Sequence, residues 1–128
     1  MTLMPASLLI TAGLFVVAGL LHFVIPKFYL AIMPVWLPSP LLLVQLSGGF
    51  EILGGIALLV PATRTLAAIG LILLLVAVLP ANVEMLRLAQ ARGASPVFIA
   101  ACWLRLPLQP LLMWWVWRVS QSASDLMR

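Results

Sequence analysis

Charge is the scarcest commodity in this chain. Only 8% of the 128 residues are charged, three of them acidic and seven basic, whereas 65% are hydrophobic. With a mean hydropathy of +1.23, this composition excludes an ordinary water-soluble domain, because a chain this short cannot hide so much apolar surface in its own core. Cysteine is almost absent. Cys102 stands alone, so it cannot close an internal disulfide or form a Cys-x-x-Cys redox pair, and it reads as a small buried residue. The single histidine, His22, leaves only itself and Glu51 as plausible metal ligands, too few for a metal site. Nucleophile-base-orienter triads, phosphate loops and dinucleotide fingerprints are missing, as are internal repeats and low-complexity runs. The net charge of +4 does not point to nucleic acid either, since the basic residues are scattered singly without a run or basic face.

What the chain has in abundance is apolar length. Four stretches approach the roughly 20 helical residues that cross about 30 Å of hydrocarbon. The expected fold is all-α: an integral membrane four-helix bundle forming one domain over residues 1–128, with helices at about 6–25, 41–60, 64–88 and 96–118 and a tail at 119–128. No Lys or Arg precedes Lys27, so the first stretch lacks the positive region of a signal peptide and reads as a retained helix. With four crossings, Arg64, Arg118 and Arg128 share one side with the termini and Lys27, Arg87 and Arg92 take the other, a balance that leaves orientation undetermined.

The connections differ in kind. "PATR", residues 61–64, is tight and forces the second and third helices to be antiparallel neighbours. Residues 27–40, "KFYLAIMPVWLPSP", carry three prolines that favour extended backbone, and Phe28, Tyr29 and Trp36 suit an ordered interfacial segment capping the bundle. Glu84 and Arg87 form a solvated i, i+3 pair, and Pro80 marks a bend. "WWVW" before Arg118 reads as an aromatic belt.

One carboxylate sits where it costs most. Glu51, inside "SGGFEILGG", is the only ionisable residue between positions 41 and 60. Ser47, Glu51 and Gly55 recur at i, i+4 and i+8 with Gly48 and Gly54 beside them, so the acid shares a face with small residues that let another helix approach closely. Counted from the long-loop side, Glu51 lies roughly 16 Å deep and Arg105 roughly 14 Å deep. A lone charge in hydrocarbon costs at least about 2.5–3.5 kcal/mol on insertion scales, so the two are expected to meet as a buried ion pair. His22, Gln45, Asn82 and Gln109 lie toward the same side, Tyr29 is at its mouth, and Pro107 and Pro110 free the carbonyls of Trp103 and Leu106. Every helix thus contributes a hydrogen-bonding group, which predicts a polar pocket opening toward the long loop.

The segments "GLLHFVIPKFYLAIMPVWLPSP", "SGGFEILGGIALLVPATRTLAAIGL", "PANVEM" and "RLPLQPLL", in this order and spacing, resemble the DoxX-like family of small four-helix membrane proteins, grouped with MauE-type redox-associated proteins. The resemblance spans about Gly19 to Trp117. It implies a multi-pass protein of the cytoplasmic membrane and places His22, Pro26, Pro34, Glu51, Pro61, Asn82 and Arg105 at the family's pattern positions. It also implies quinone-linked redox work beside a membrane or soluble redox partner. The solitary Cys102 departs from the thiol-handling version of that family.

Three functions follow as expectations. The first is a redox-associated membrane subunit that holds a quinone or other lipid-soluble molecule in the polar pocket, with Glu51, Arg105 and His22 at its head group. A non-enzymatic assembly factor or lipid-binding module is the second. The third, a transporter, requires a homo-oligomer, because the chain contains no inverted repeat. No residue pattern assigns a catalytic role.

Overall fold

The computed structural model of the protein describes residues 5–31 and 33–126. All of the regular structure in these residues is helical: α1 (Ala6–Val24), α2 (Pro26–Ala31), α3 (Pro40–Leu58), α4 (Arg64–Ala91) and α5 (Pro96–Leu126). Four of them, α1, α3, α4 and α5, are long and apolar enough to cross a membrane.

Proline and glycine set the boundaries. Pro26, Pro40 and Pro96 each open a helix, the one helical position where a missing N–H costs nothing and the fixed φ helps. Ser95 caps α5 by accepting the Phe98 N–H at 3.3 Å. At the end of α4, Gly93 turns left-handed at φ +66°. Its N–H reaches the Gln90 carbonyl at 3.3 Å and the Ala94 N–H reaches Ala89 at 3.0 Å, the paired closure that only a glycine makes without strain. Pro80, Pro107 and Pro110 lie inside α4 and α5 without ending them.

The α3–α4 hairpin is closed by side chains. Arg64 is fully buried, and its Nε donates to the Leu58 carbonyl at 2.7 Å while Nη2 reaches Leu59 at 3.3 Å. The Thr63 hydroxyl donates to Ala57 at 2.9 Å. These are the carbonyls that the end of a helix leaves unpaired, and a cationic donor suits the negative end of the helix dipole.

Around the bundle the order is α1, α3, α4, α5. The seams α1–α3, α3–α4 and α4–α5 are packed along their length, whereas α1 and α5 meet sparsely. Glycines draw α1 and α3 together: a Cβ on Gly19 would stand 2.5 Å from the Gly48 carbonyl oxygen, and one on Gly55 would stand 2.8 Å from that of Ala12. Two dry clusters result. One joins Leu8, Ala12, Phe15, Leu58, Ala68, Leu71, Leu75, Val116, Val119 and Ala123 near the end that carries the termini. The other gathers Met85, Leu86, Ala89 and Cys102 near the opposite end. Between them lies the level of Glu51.

Two boundaries differ from the sequence expectation. The fourth long helix does not stop near residue 118; α5 continues to Leu126, and Met127 and Arg128 lie outside the described residues. Val116, Val119, Ser120 and Ala123 keep the i, i+3, i+4, i+7 rhythm and are buried, so small residues in a polar-looking tail still pack against α1 and α4. The connection after α1 is not extended throughout, because Pro26 starts the short helix α2 before the chain turns at Pro34 to Leu37. The Glu84–Arg87 pair forms as spaced, with Arg87 Nε donating to Glu84 Oε2 at 3.0 Å.

Candidate functional site

The site begins on α1. His22 lies on the face turned toward α3, and its Nδ1 sits 2.8 Å from the Ala18 carbonyl. A carbonyl only accepts, so the ring proton resides on Nδ1 and is committed to that bond. Tyr29 from α2 lies flat on the imidazole, ring centroids 3.9 Å apart and 15° from parallel. Burial, and next the Glu51 carboxylate, push the Tyr29 hydroxyl above its usual range against the pull of Arg105, which keeps it a neutral donor.

Glu51 enters from α3. Its Oε2 is 3.5 Å from His22 Nδ1, with the two side chains 12% and 10% exposed. Because that nitrogen's proton is directed at Ala18, Oε2 is buried without a hydrogen-bond partner. From α4 comes Asn82, 5% exposed, and from α5 come Arg105 and Gln109. Gln109 donates its Nε2 hydrogen to the Leu75 carbonyl at 2.9 Å, and its Oε1 is the second buried atom without a partner. Among the described residues, Asn82 and Arg105 have no side-chain hydrogen bond or ion pair.

These groups line two adjoining cavities. The smaller, about 130 Å³, lies beneath the connection after α1 and is walled by His22, Tyr29, Met33, Ser47, Glu51, Asn82 and Arg105. The larger, about 390 Å³, runs along the sparse α1–α5 seam and is mostly greasy, with Leu14, Phe15, Leu75, Leu108 and Leu112 in its wall. Glu51, Asn82 and Arg105 belong to both. At the far end, Trp115 Nε1 donates to Thr11 Oγ1 at 2.9 Å, and that hydroxyl donates to the Ser7 carbonyl at 2.7 Å. A polar chamber and an apolar channel therefore share one charged throat.

Of the seven polar residues singled out in the sequence, His22, Tyr29, Glu51, Asn82, Arg105 and Gln109 line one cavity or both. Gln45 does not; it is exposed on the outer face of α3, because it precedes the Ser47–Glu51–Gly55 stripe by two residues, about 200° around the helix. The expected Glu51–Arg105 ion pair is not formed. Among the described residues the group within ion-pair reach of Glu51 is His22, and Arg105, which is exposed where the throat meets the α1–α5 seam, shares the cavities with the acid without touching it. Depth counted along helices fixes height, but not azimuth. Thr11 and Trp115 were missed: a threonine in an apolar run and one tryptophan of four aromatic-rich positions gave no hint that they join across 104 residues. Arg64 was read as a boundary charge and is instead a buried cap.

Among the described residues no cluster of three or more His, Cys, Asp or Glu could hold a metal. The donors and acceptors present suit an organic head group, and the apolar channel suits a hydrocarbon chain attached to it.

Residues 11–120 match the family described as Domain of unknown function (DUF8561), and the chain belongs to that family. The matched span runs from the first cavity residue, Thr11, past the last, Trp115. No curated protein and no solved structure matches the chain.

Proposed function

We propose that this chain is a multi-pass protein of the cell membrane that binds one lipid-soluble molecule, of quinone type, as the membrane subunit of a redox system. Support for the membrane setting comes from the outward faces of the long helices, where Ile10, Val17, Leu53, Leu66, Leu73 and Trp103 are all more than half exposed, a surface stable in hydrocarbon and not in water. In that setting the connection from Pro26 to Ser39, with Phe28 and Trp36 exposed, lies at the headgroup level. The redox assignment draws on the resemblance to DoxX-like proteins; the ligand assignment draws on the geometry.

The observation that carries the reading is the throat itself, where Glu51, Asn82 and Arg105 line both cavities and the donors of Asn82 and Arg105 have no side-chain hydrogen bond among the described residues. Hydrocarbon offers no water to an unpaired polar group, which there costs several kcal/mol. An amphiphile seated with its ring between Glu51, Asn82 and Arg105 and its chain toward Leu108 and Leu112 relieves that cost. Its ring would lie within reach of the Glu51–His22 pair, which can exchange protons with it.

The test is extraction. Protein purified from native membranes in mild detergent should retain a stoichiometric lipid-soluble molecule identifiable by mass spectrometry, and Glu51→Gln together with Arg105→Leu should strip it while leaving the circular dichroism unchanged. Protein that carries nothing specific, and that takes up no added quinone, refutes the assignment.

A further inference from the structure

Arg105 is turned inward and is nevertheless exposed. It stands three residues after Cys102 and four before Gln109, both of which are buried, so the three share one face of α5. In a closed bundle that face is covered throughout. Here Arg105 is open, and so are cavity residues on both sides of the α1–α5 seam: Leu14 on α1 is 64% exposed, and Leu108 and Trp115 on α5 are 46% and 42% exposed. Residues that face a cavity and the outside at once mark its rim. The larger cavity therefore opens sideways, between α1 and α5.

Its other boundaries are closed among the described residues. Tyr29, flat on His22, and Met33 lie in the wall of the adjoining smaller cavity on the side of the connection after α1. At the far end Trp115 is bonded to Thr11, next to the cluster in which Leu8 and Val116 are fully buried. The α1–α3, α3–α4 and α4–α5 seams are packed.

The opening is at the wrong height for water. Leu14 lies near the middle of α1 and Leu108 near the middle of α5, so in the membrane setting the rim faces acyl chains and not head groups. Outside it, an apolar groove of about 380 Å³ continues over α5, walled by Leu108, Leu111, Leu112, Trp114 and Trp115. Leu108, Leu112 and Trp115 belong to groove and cavity alike. An apolar path thus leads from the throat to the outer face of α5.

We propose that the α1–α5 gap is a lateral portal: the ligand enters the cavity from the hydrocarbon layer, its head group reaches the throat, and its tail stays outside along the groove at Leu111 and Trp114. This rests on the ligand-binding reading above and names the pool the ligand comes from, molecules already dissolved in the membrane. A closed cavity of about 390 Å³ would cap the length of the tail, and a portal removes the cap. Measured from water, every added methylene tightens binding; measured from lipid it adds almost nothing, because acyl chains are as apolar as the groove. The protein then reads the head of its ligand and not the length of its tail.

The test uses the wild-type protein in nanodiscs and one benzoquinone head carried on a decyl tail and on a decaprenyl tail. Occupancy is counted by native mass spectrometry and affinity is expressed as mole fraction in lipid. The two half-saturating mole fractions should agree within about threefold. A decaprenyl compound bound at least about tenfold more weakly than the decyl one overturns the portal while leaving ligand binding intact. The route is mapped with the same head on a decyl tail that ends in a diazirine: irradiation should place adducts on α5 at Leu111 and Trp114. Adducts confined to the cavity interior at Phe15 and Leu75, to the connection after α1, to another outer face or to lipid overturn it as well. Binding of neither tail removes the ligand-binding reading and this inference with it.

Discussion

The close approach of α1 and α3 is the feature on which the site's geometry most directly depends, and Gly48→Ala perturbs it with one methyl group. A Cβ at position 48 would lie 2.6 Å from His22 Cβ, 2.7 Å from the Gly19 carbonyl oxygen and 3.0 Å from Phe23 Cε2. Ordinary contacts begin near 3.4 Å, so the nearest atom must retreat by 3.4 minus 2.6, or 0.8 Å. Neither His22 Cβ nor a backbone oxygen can swing aside as the tip of a long side chain could. The helices must separate, and a gap of that order forfeits about a quarter to a half of each dispersion contact along the seam. Alanine's better helix propensity, worth about 1 kcal/mol over glycine, partly masks the loss. Gly49→Ala supplies the control, because a Cβ there meets nothing within 4 Å. The difference between the two variants isolates the clash at about 1–3 kcal/mol, read from equilibrium unfolding by SDS in mixed micelles followed by far-ultraviolet circular dichroism. His22 is itself the displaced residue, so Gly48→Ala should also weaken ligand retention while Gly49→Ala leaves it intact. Two variants of the same stability to within about 0.5 kcal/mol would refute the packing described for α1 and α3.

Arg64→Met, which keeps the length of the side chain but removes the bonds to Leu58 and Leu59, should destabilise the protein by about 1.5–3 kcal/mol in the same assay, and Arg64→Lys should recover little of it because one ammonium cannot reproduce the planar fork. Trp115→Phe keeps an aromatic ring but deletes the bond to Thr11; about 1 kcal/mol of stability should go, and ligand exchange followed by stopped flow should quicken as the α1–α5 seam loosens. Gln45→Leu should change stability by less than about 0.5 kcal/mol and leave binding untouched, since that side chain is exposed on the outer face of α3; a loss of ligand on this substitution would contradict the assignment of the cavity wall.

How much of this was legible in the residues depends on which quantity is asked. The four long helices were, because apolar runs of membrane-spanning length have no other stable form in hydrocarbon, whereas the short helix α2 was not, since its surroundings read as an extended, proline-rich connection. The level of the site was legible too, since rise per residue converts a sequence position into a height. The end of α5 was not: Arg118 looked like a terminus, yet Val119, Ser120 and Ala123 are buried because small side chains pack wherever a neighbouring helix is present.

Composition and spacing by themselves determined that this chain is a set of long helices apolar enough to cross a membrane, with a few polar groups at a shared height along them, because rise per residue converts position into height. Azimuth, pairing and protonation were decided only by the tertiary structure. Helix rotation turned Gln45 outward and Glu51 inward, the Gly19–Gly48 approach placed His22 rather than Arg105 beside the acid, and the carbonyls of Ala18 and Leu75 fixed which atoms were left without partners. Those relations arise between helices, where side chains compete for the same donors, and no single stretch of sequence contains the outcome of that competition.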